Sequence, residues 1–243
     1  MNSTKESILI TGSSKGIGLA IANHLKDKSL QIIVNSRKKN KAITELIKNK
    51  NFFYLMGDAS NPRFSDKIKK FILKNNLNLK YLICNVGLSK QSKNKFENSS
   101  FKKLININLY SATNIILNLT PIFKKNRSKI ICISSIASDA RLNSPIGYSV
   151  GKNSLNQFVK CYSRYYSENK TFICSLLIGH TIHENSVWKK KSKKTKELVL
   201  KTTPNKKFVN TSQISQLVEQ ILLNNNNLIN GSVINCEEGF THF

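Results

Sequence analysis

Tyr148 and Lys152 stand four residues apart in Tyr-Ser-Val-Gly-Lys, at the start of a helical pattern. That spacing puts both side chains on one helical face, where an ammonium can sit near a phenol. A free phenol titrates near ~10 and is a poor acid–base group at neutral pH, whereas a neighbouring cation favours the phenolate and lowers the value. Ser135 lies thirteen residues before Tyr148, at the end of the apolar run that closes in Ile133-Ser134-Ser135. A hydroxyl there could hold a substrate carbonyl oxygen against the phenol. The chemistry on offer is proton transfer to or from an oxygen.

A second group of residues suits an anion. Between an apolar run and the helical Leu19-Ala20-Ile21-Ala22 lies Thr11-Gly12-Ser13-Ser14-Lys15-Gly16-Ile17-Gly18. Glycines at a strand-to-helix turn let the backbone approach a pyrophosphate, and the helix N-terminus presents free N–H groups to it. Gly12, Ser14, Lys15, Gly16, Ile17 and Gly18 are therefore candidate dinucleotide contacts. No Gly-Lys-Ser/Thr follows, which excludes a Walker loop. The next β-rich run ends Val34-Asn35-Ser36-Arg37, with no acidic residue to accept from a ribose 2′-hydroxyl. Arg37 and Lys15 could instead face a 2′-phosphate, so NADP(H) is expected over NAD(H). The alternative is that Arg37 belongs to a solvated charge run.

The elements that must position these groups alternate along the chain. Strands are expected at Ser7–Thr11, Gln31–Asn35, Phe52–Met56, Lys80–Cys84, Lys129–Ser134, Thr171–Leu177 and Ser232–Cys236. Helices are expected at Gly16–Lys28, Asn40–Lys48, Pro62–Asn75, Asn98–Phe123, Tyr148–Glu168 and Thr211–Asn224, with Pro62 opening the third and Thr211 capping the last. Continuously apolar strands separated by helices imply a parallel sheet covered on both faces. The expected architecture is a single α/β domain over residues 1–243, a Rossmann-like doubly wound parallel sheet of seven strands. Gly179–Asn210 falls outside this rhythm, is long for a passive connection, and is expected to form a substrate lid.

Composition sharpens the partner question. The chain carries 39 Lys plus Arg against 13 Asp plus Glu, a net charge of +26. Such a surface attracts polyanions. Yet 34 of the basic residues are Lys and only 5 are Arg, alongside 31 Asn. Phosphate-reading surfaces favour the planar Arg fork, whereas Lys, Asn and Ile together match the drift of an AT-rich coding sequence, so nucleic acid is not the expected partner. Five cysteines without a Cys-x-x-Cys pair suggest neither a zinc site nor a disulfide framework. Four of them sit inside apolar runs such as Leu82-Ile83-Cys84 and Ile130-Ile131-Cys132-Ile133 and read as small buried hydrophobes in a reducing, cytoplasmic setting. Residues Met1–Ser7 show no secretory pattern, and the uncharged stretch Leu104–Phe123 holds too many Asn, Ser and Thr for a membrane span.

Taken together, these residues make the chain resemble the short-chain dehydrogenase/reductase family over essentially its full length. The glycine turn is similar to that family's Thr-Gly-x-x-x-Gly-x-Gly. Asp58 matches the acid that contacts the adenine, and Cys84-Asn85-Val86-Gly87 is similar to Asn-Asn-Ala-Gly, which makes Asn85 and Gly87 cofactor-site candidates. Ile107-Asn108-Leu109 matches the segment holding a catalytic Asn, and Ser135 with Tyr148-x-x-x-Lys152 matches the family's Ser and Tyr-x-x-x-Lys. The closing strand, Gly231 to Gly239, carries Glu237-Glu238 where Asp-Gly is common. Singly, Tyr148 and Ser135 also fit core or cap groups; order and spacing make the set specific.

The resemblance implies hydride transfer between a nicotinamide and a carbonyl carbon. Tyr148 would donate the proton, Ser135 orient the carbonyl, Lys152 lower the phenol pKa and bind the ribose, and Asn108 hold a relaying water. It also implies a homotetramer or homodimer built on the long helices near Asn98 and Tyr148. Subgroup resemblance points to a 3-oxoacyl thioester as substrate; a sugar ketone of surface-polysaccharide assembly is the alternative. From another class, the chain could be a nucleotide-sensing or nucleic-acid-binding protein on the same fold. One departure stands out. The family's Pro-Gly-x-x-x-Thr reads Ile178-Gly179-His180-Thr181-Ile182-His183, so either Thr181 or His183, with Gly179, would contact the nicotinamide carboxamide. His180, His183 and Glu184 lack the further ligands that a metal would need. The segment Trp188–Phe208 holds nine Lys against Glu197. It suits an anionic small-molecule substrate, or is a solvated loop in a Lys-rich chain.

Overall fold

Among the described residues, seven runs of aliphatic and β-branched residues become strands; those at the centre of the sheet bury both faces and the two edge strands are only partly buried. The computed structural model describes residues 5–90, 97–139, 142–166, 171–184, 186–224 and 227–240. The strands are β1 (Glu6–Ile10), β2 (Gln31–Ser36), β3 (Phe52–Met56), β4 (Asn78–Cys84), β5 (Lys129–Ser135), β6 (Phe172–Ile178) and β7 (Val233–Cys236). They pair in parallel in the order β3-β2-β1-β4-β5-β6-β7. The helices are α1 (Gly16–His24), α2 (Lys41–Leu46), α3 (Phe64–Lys74), α4 (Asn98–Ile105), α5 (Ser111–Asn126), α6 (Ile146–Tyr166), α7 (Lys193–Thr202) and α8 (Thr211–Leu223).

Alternate residues of one strand feed opposite cores, as the two-residue side-chain period requires. Ile8 and Ile10 of β1 join Ile21 and Ala22 of α1 and Val218 of α8 on one face. Leu9 joins Ile115 and Leu119 of α5 and Leu155 and Val159 of α6 on the other. Each such fully buried aliphatic side chain contributes roughly 1.5–3 kcal/mol. The chain is a single doubly wound domain, as expected. Strand order reverses between β1 and β4, and in such sheets ligands bind beyond the carboxyl ends of the strands at that reversal.

Several local expectations differ from the structure, and the end of the helix expected over 148–168 lies outside the described residues. The helix expected over 98–123 is interrupted at Asn106–Tyr110 by a π-helical turn before continuing as α5 to Asn126. α3 begins at Phe64, two residues after Pro62. α8 is capped by Asn210 rather than Thr211: the Asn210 carboxamide accepts from the Ser212 N–H at 3.0 Å, and Gln213 Oε1 accepts from the Asn210 N–H at 3.1 Å. Asn is as strong a cap as Thr, and here it pairs with a Gln three residues on.

Candidate active site

The glycine turn joins β1 to α1 and is fixed from two sides. From β2, the carbonyl of Asn35 accepts from the Ser13 N–H at 2.9 Å, while its Oδ1 accepts from the Gly12 N–H at 3.3 Å. From β4, Asn85 Nδ2 donates to the carbonyls of Thr11 and Gly12, both at 3.1 Å. Gly12 and Gly16 have φ of +63° and +60°, which side chains rarely adopt. At Gly18 the constraint is space, since a Cβ would stand 2.6 Å from Asn85 Nδ2 and 2.9 Å from the Gly12 carbonyl. Lys15, at the N-cap, makes no side-chain capping bond, and the first turn of α1 holds no acid. Its leading N–H groups therefore remain available to an anion. Ser14 is held through its carbonyl, which accepts from Asn40 Nδ2 at 2.9 Å. Ile17 packs against the core on the α1 side.

Ser135, Tyr148, Lys152 and Asn108 converge at the carboxyl ends of β4 and β5. Ser135 is the last residue of β5, and its Oγ accepts from the Ala137 N–H at 3.2 Å. The Ser135 hydroxyl also bonds the Tyr148 phenol and draws its pKa down, but burial is the larger influence and leaves the phenol above its ordinary value. Lys152 is buried; its ammonium donates to the carbonyl of Ile133 at 2.8 Å. Burial pulls its pKa down to about 8, partly offset by the thiols of Cys132 and Cys84. The expected cation-induced lowering of the Tyr148 pKa is thus replaced in the structure by a rise. The ammonium faces main-chain carbonyls, and the phenol is desolvated.

Asn108 sits in the π-helical turn, fully buried. Its Nδ2 donates to the carbonyls of Leu88 and Leu104, and its Oδ1 accepts from the Leu88 N–H, each at 2.9 Å. The widened turn aims this side chain inward and pins the segment after β4, a common use of π-helical insertions. Gly87 completes the arrangement, because a Cβ there would lie 3.3 Å from both Asn108 Oδ1 and Lys152 Nζ.

The remaining candidates line the rim. Arg37 follows β2 and is exposed. Asp58 follows β3, with Oδ1 accepting from the Ser60 N–H at 2.9 Å and hydroxyl at 2.7 Å. Gly179 ends β6 so tightly that a Cβ would stand 2.7 Å from Glu237 Cα. The Thr181 hydroxyl is turned back to the Gly179 carbonyl at 2.9 Å. Thr181 bridges to Val209, and the Val209 N–H donates to the His180 carbonyl at 2.9 Å, so residues 182–208 leave and return at one point. Within that excursion Trp188 packs edge-on against His180, at 4.6 Å between ring centroids, and His180 against Phe240 at 4.7 Å. Burial holds the His180 pKa down at about 4, so the ring is neutral. Among the described residues no cluster of His, Cys, Asp or Glu could hold a metal ion.

The family model described as short chain dehydrogenase matches residues 6–193, most of the chain and every element that carries this site. The chain belongs to the short-chain dehydrogenase family. It is 25% identical over 247 residues to a 3-oxoacyl-(acyl-carrier-protein) reductase of Buchnera aphidicola, covering 98% of both chains. It is 28% identical over 156 residues to an uncharacterised oxidoreductase of Saccharomyces cerevisiae; that match takes in 62% of this chain and 61% of the yeast protein, so it spans less than two thirds of that relative. Among solved structures, Pseudomonas aeruginosa RhlG with NADP superposes with a TM-score of 0.88 at 18% identity, covering 98% and 97% of the two chains. ElxO with NADP bound gives 0.88 at 22%, covering 99% and 100%.

Against the short-chain dehydrogenase pattern, Ile178 replaces the Pro after β6, and the strand runs through Ile178, paired with Ser135 and Cys236. Proline could not donate to that ladder. His183, four residues after Gly179, lies over the glycine turn, where a Cβ on Gly16 would come within 2.9 Å of its Cε1. Asn35 is the residue that sequence reasoning passed over. Its Nδ2 also donates to the carbonyls of Leu55 and Gly57, so it ties β1, β2 and β3 together beneath the cofactor rim. The available signal is a polar residue directly after the apolar run Ile32-Ile33-Val34.

Proposed function

We propose that this short-chain dehydrogenase is an NADPH-dependent reductase of small-molecule ketones, with Tyr148 as general acid. The convergence of Ser135, Tyr148 and Lys152 beside an uncapped helix N-terminus carries this reading. The residues present fit a dinucleotide. The turn has no room for side chains at Gly12, Gly16 and Gly18, and α1 offers unpaired N–H groups. Gly12, Ser14, Lys15, Gly16, Ile17 and Gly18 would hold the diphosphate and adjoining ribose, Asp58 and Asn85 the adenosine side, and Gly87, Gly179 and Thr181 the nicotinamide end. Arg37 and Lys15, with no acid at the end of β2, favour the 2′-phosphate of NADP(H). When bound, the reduced nicotinamide supplies the hydride for the carbonyl carbon.

The chain's own residues then do the proton work. Ser135 binds the substrate oxygen beside the phenol, and Tyr148, neutral because it is desolvated, gives that oxygen its proton. Lys152 holds a positive charge beneath the site, stabilising the phenolate left behind and the ribose hydroxyls. Asn108 fixes Leu88, and the lone pair remaining on its Oδ1 suits a relaying water.

A 3-oxoacyl thioester is the substrate class we favour, supported by the end-to-end match to an acyl-carrier-protein reductase. Residues 179–210 act as the lid. Its lysines 189, 190, 191, 193, 194 and 201 are exposed around α7 and suit the phosphates of such a carrier. The exposed apolar residues Phe101, Leu117, Ile146, Val150 and Tyr165 on α4, α5 and α6 support a homodimer or homotetramer. Free thiols fit the reducing cytoplasm. The test is NADPH consumption against acetoacetyl-coenzyme A, its neutral thioester analogue and keto-sugars, at low and high salt. Turnover of the coenzyme thioester with a KM that rises with salt is expected; absence of turnover with every ketone would sink the reading.

A further inference from the structure

Among the described residues of 179–210, His183 lies on the glycine turn. Built on Gly16, a Cβ would come to 2.9 Å from its Cε1 and 3.1 Å from its Nε2, so the ring covers the first residue of α1. Two hydrogen bonds to Ser186 hold it there: the His183 N–H donates to Ser186 Oγ at 3.2 Å, and the Ser186 N–H donates to the His183 carbonyl at 2.9 Å. Its Nδ1 is buried without a hydrogen-bond partner. A buried ring nitrogen left unpaired is costly unless a ligand completes it.

We propose that His183 is a ligand for the cofactor diphosphate and that it takes up a proton as the dinucleotide binds. The inference rests on the nicotinamide reading above and adds to it a residue and a proton linkage. The diphosphate belongs at the N-terminus of α1, and the His183 ring lies over the same place. Lys15 on the glycine turn is the charge that faces it. Glu184 beside it is exposed, and His180 packs away against Trp188 and Phe240. Burial first and Lys15 second disfavour the imidazolium in the free protein. A diphosphate in contact reverses both effects, because an adjacent anion favours the charged ring and gives both ring N–H groups an acceptor. Cofactor affinity should therefore rise as pH falls, and one bound dinucleotide should draw in up to one proton.

The experiment is calorimetric titration of the whole protein with NADPH and with NADH, from pH 6 to 8.5, in phosphate-free buffers of different ionisation heats. The wild type is expected to take up a fraction of a proton that neither variant takes up, and to lose about tenfold more affinity from pH 6 to the top of the range than His183→Gln does. Because NADH lacks the 2′-phosphate, the same difference between wild type and variant must appear with it. His183→Thr, equally uncharged, is expected to behave like His183→Gln and guards against a folding defect in either. Equal proton uptake and parallel pH profiles in wild type and variants would overturn the inference while leaving the cofactor reading intact. Failure of the wild type to bind either nucleotide would overturn both.

Discussion

The ammonium of Lys152 donates to the main-chain carbonyl of Ile133 at 2.8 Å, so the charge that the Tyr-x-x-x-Lys spacing brings into the site is anchored to β5 rather than to the phenol. Burial costs this ammonium much of its proton affinity, and its pKa falls to about 8. Tyr148 moves the other way, above its ordinary value. The two shifts have opposite signs for one reason, since desolvation favours the neutral form of each.

Activity should follow that charge. The pH dependence of kcat/KM reports the free enzyme. For ketone reduction it is expected to be level below pH 7 and to fall as pH rises through about 8, where Lys152 becomes neutral while Tyr148 still holds its proton. A profile that stays level to pH 10 would remove Lys152 from the account.

Stability carries the same signature. The folded chain holds the Lys152 proton less tightly than the unfolded chain, so between about 8 and 10.5 the unfolded state binds more protons and stability from this group rises with pH. Below that window the cost is complete, on the order of 3 kcal/mol. Relative to wild type, Lys152→Met should therefore be most favourable at pH 7, with the difference shrinking toward pH 10. Urea midpoints at several pH values check this, and a constant difference contradicts it.

Gly18 is a matter of space. With a Cβ 2.6 Å from Asn85 Nδ2 and 2.9 Å from the Gly12 carbonyl, Gly18→Ala must displace the turn that Asn85 holds. NADPH affinity, read by fluorescence titration, is expected to fall at least about tenfold, the equivalent of one displaced hydrogen bond to a charged group. Unchanged affinity would mean that the turn does not bind the diphosphate.

The order of elements and the positions of Ser135, Tyr148 and Lys152 were legible because each depends on local pattern: apolar runs, glycine turns, a four-residue helical spacing. What escaped depends on contacts distant in sequence. Asn35 looked like the polar end of a strand until β3 and the glycine turn closed around it. The π-helical turn is held through Asn108 by the Leu88 backbone, a contact twenty residues away in sequence. Helix α7 carries no helical signal in sequence, because its lysines dominate and no residue in it is buried; Ser192, accepting from the Thr195 N–H at 3.2 Å, starts it.

The proposed choice of NADPH over NADH rests on Arg37. It follows β2, is exposed, and has no acidic neighbour at the strand end. Arg37→Ala should lower the ratio of kcat/KM with NADPH to that with NADH by about tenfold or more, as expected for losing a charged hydrogen bond to phosphate. An unchanged ratio would assign the preference elsewhere.

The central claim is that Tyr148 transfers the proton, and Tyr148→Phe tests it most directly. The phenyl ring keeps the packing and loses only the hydroxyl. Steady-state ketone reduction by the variant, measured alongside its NADPH dissociation constant, should show turnover reduced by at least about a hundredfold with cofactor affinity within a few-fold of wild type. A variant that binds NADPH normally and retains full turnover would contradict the account.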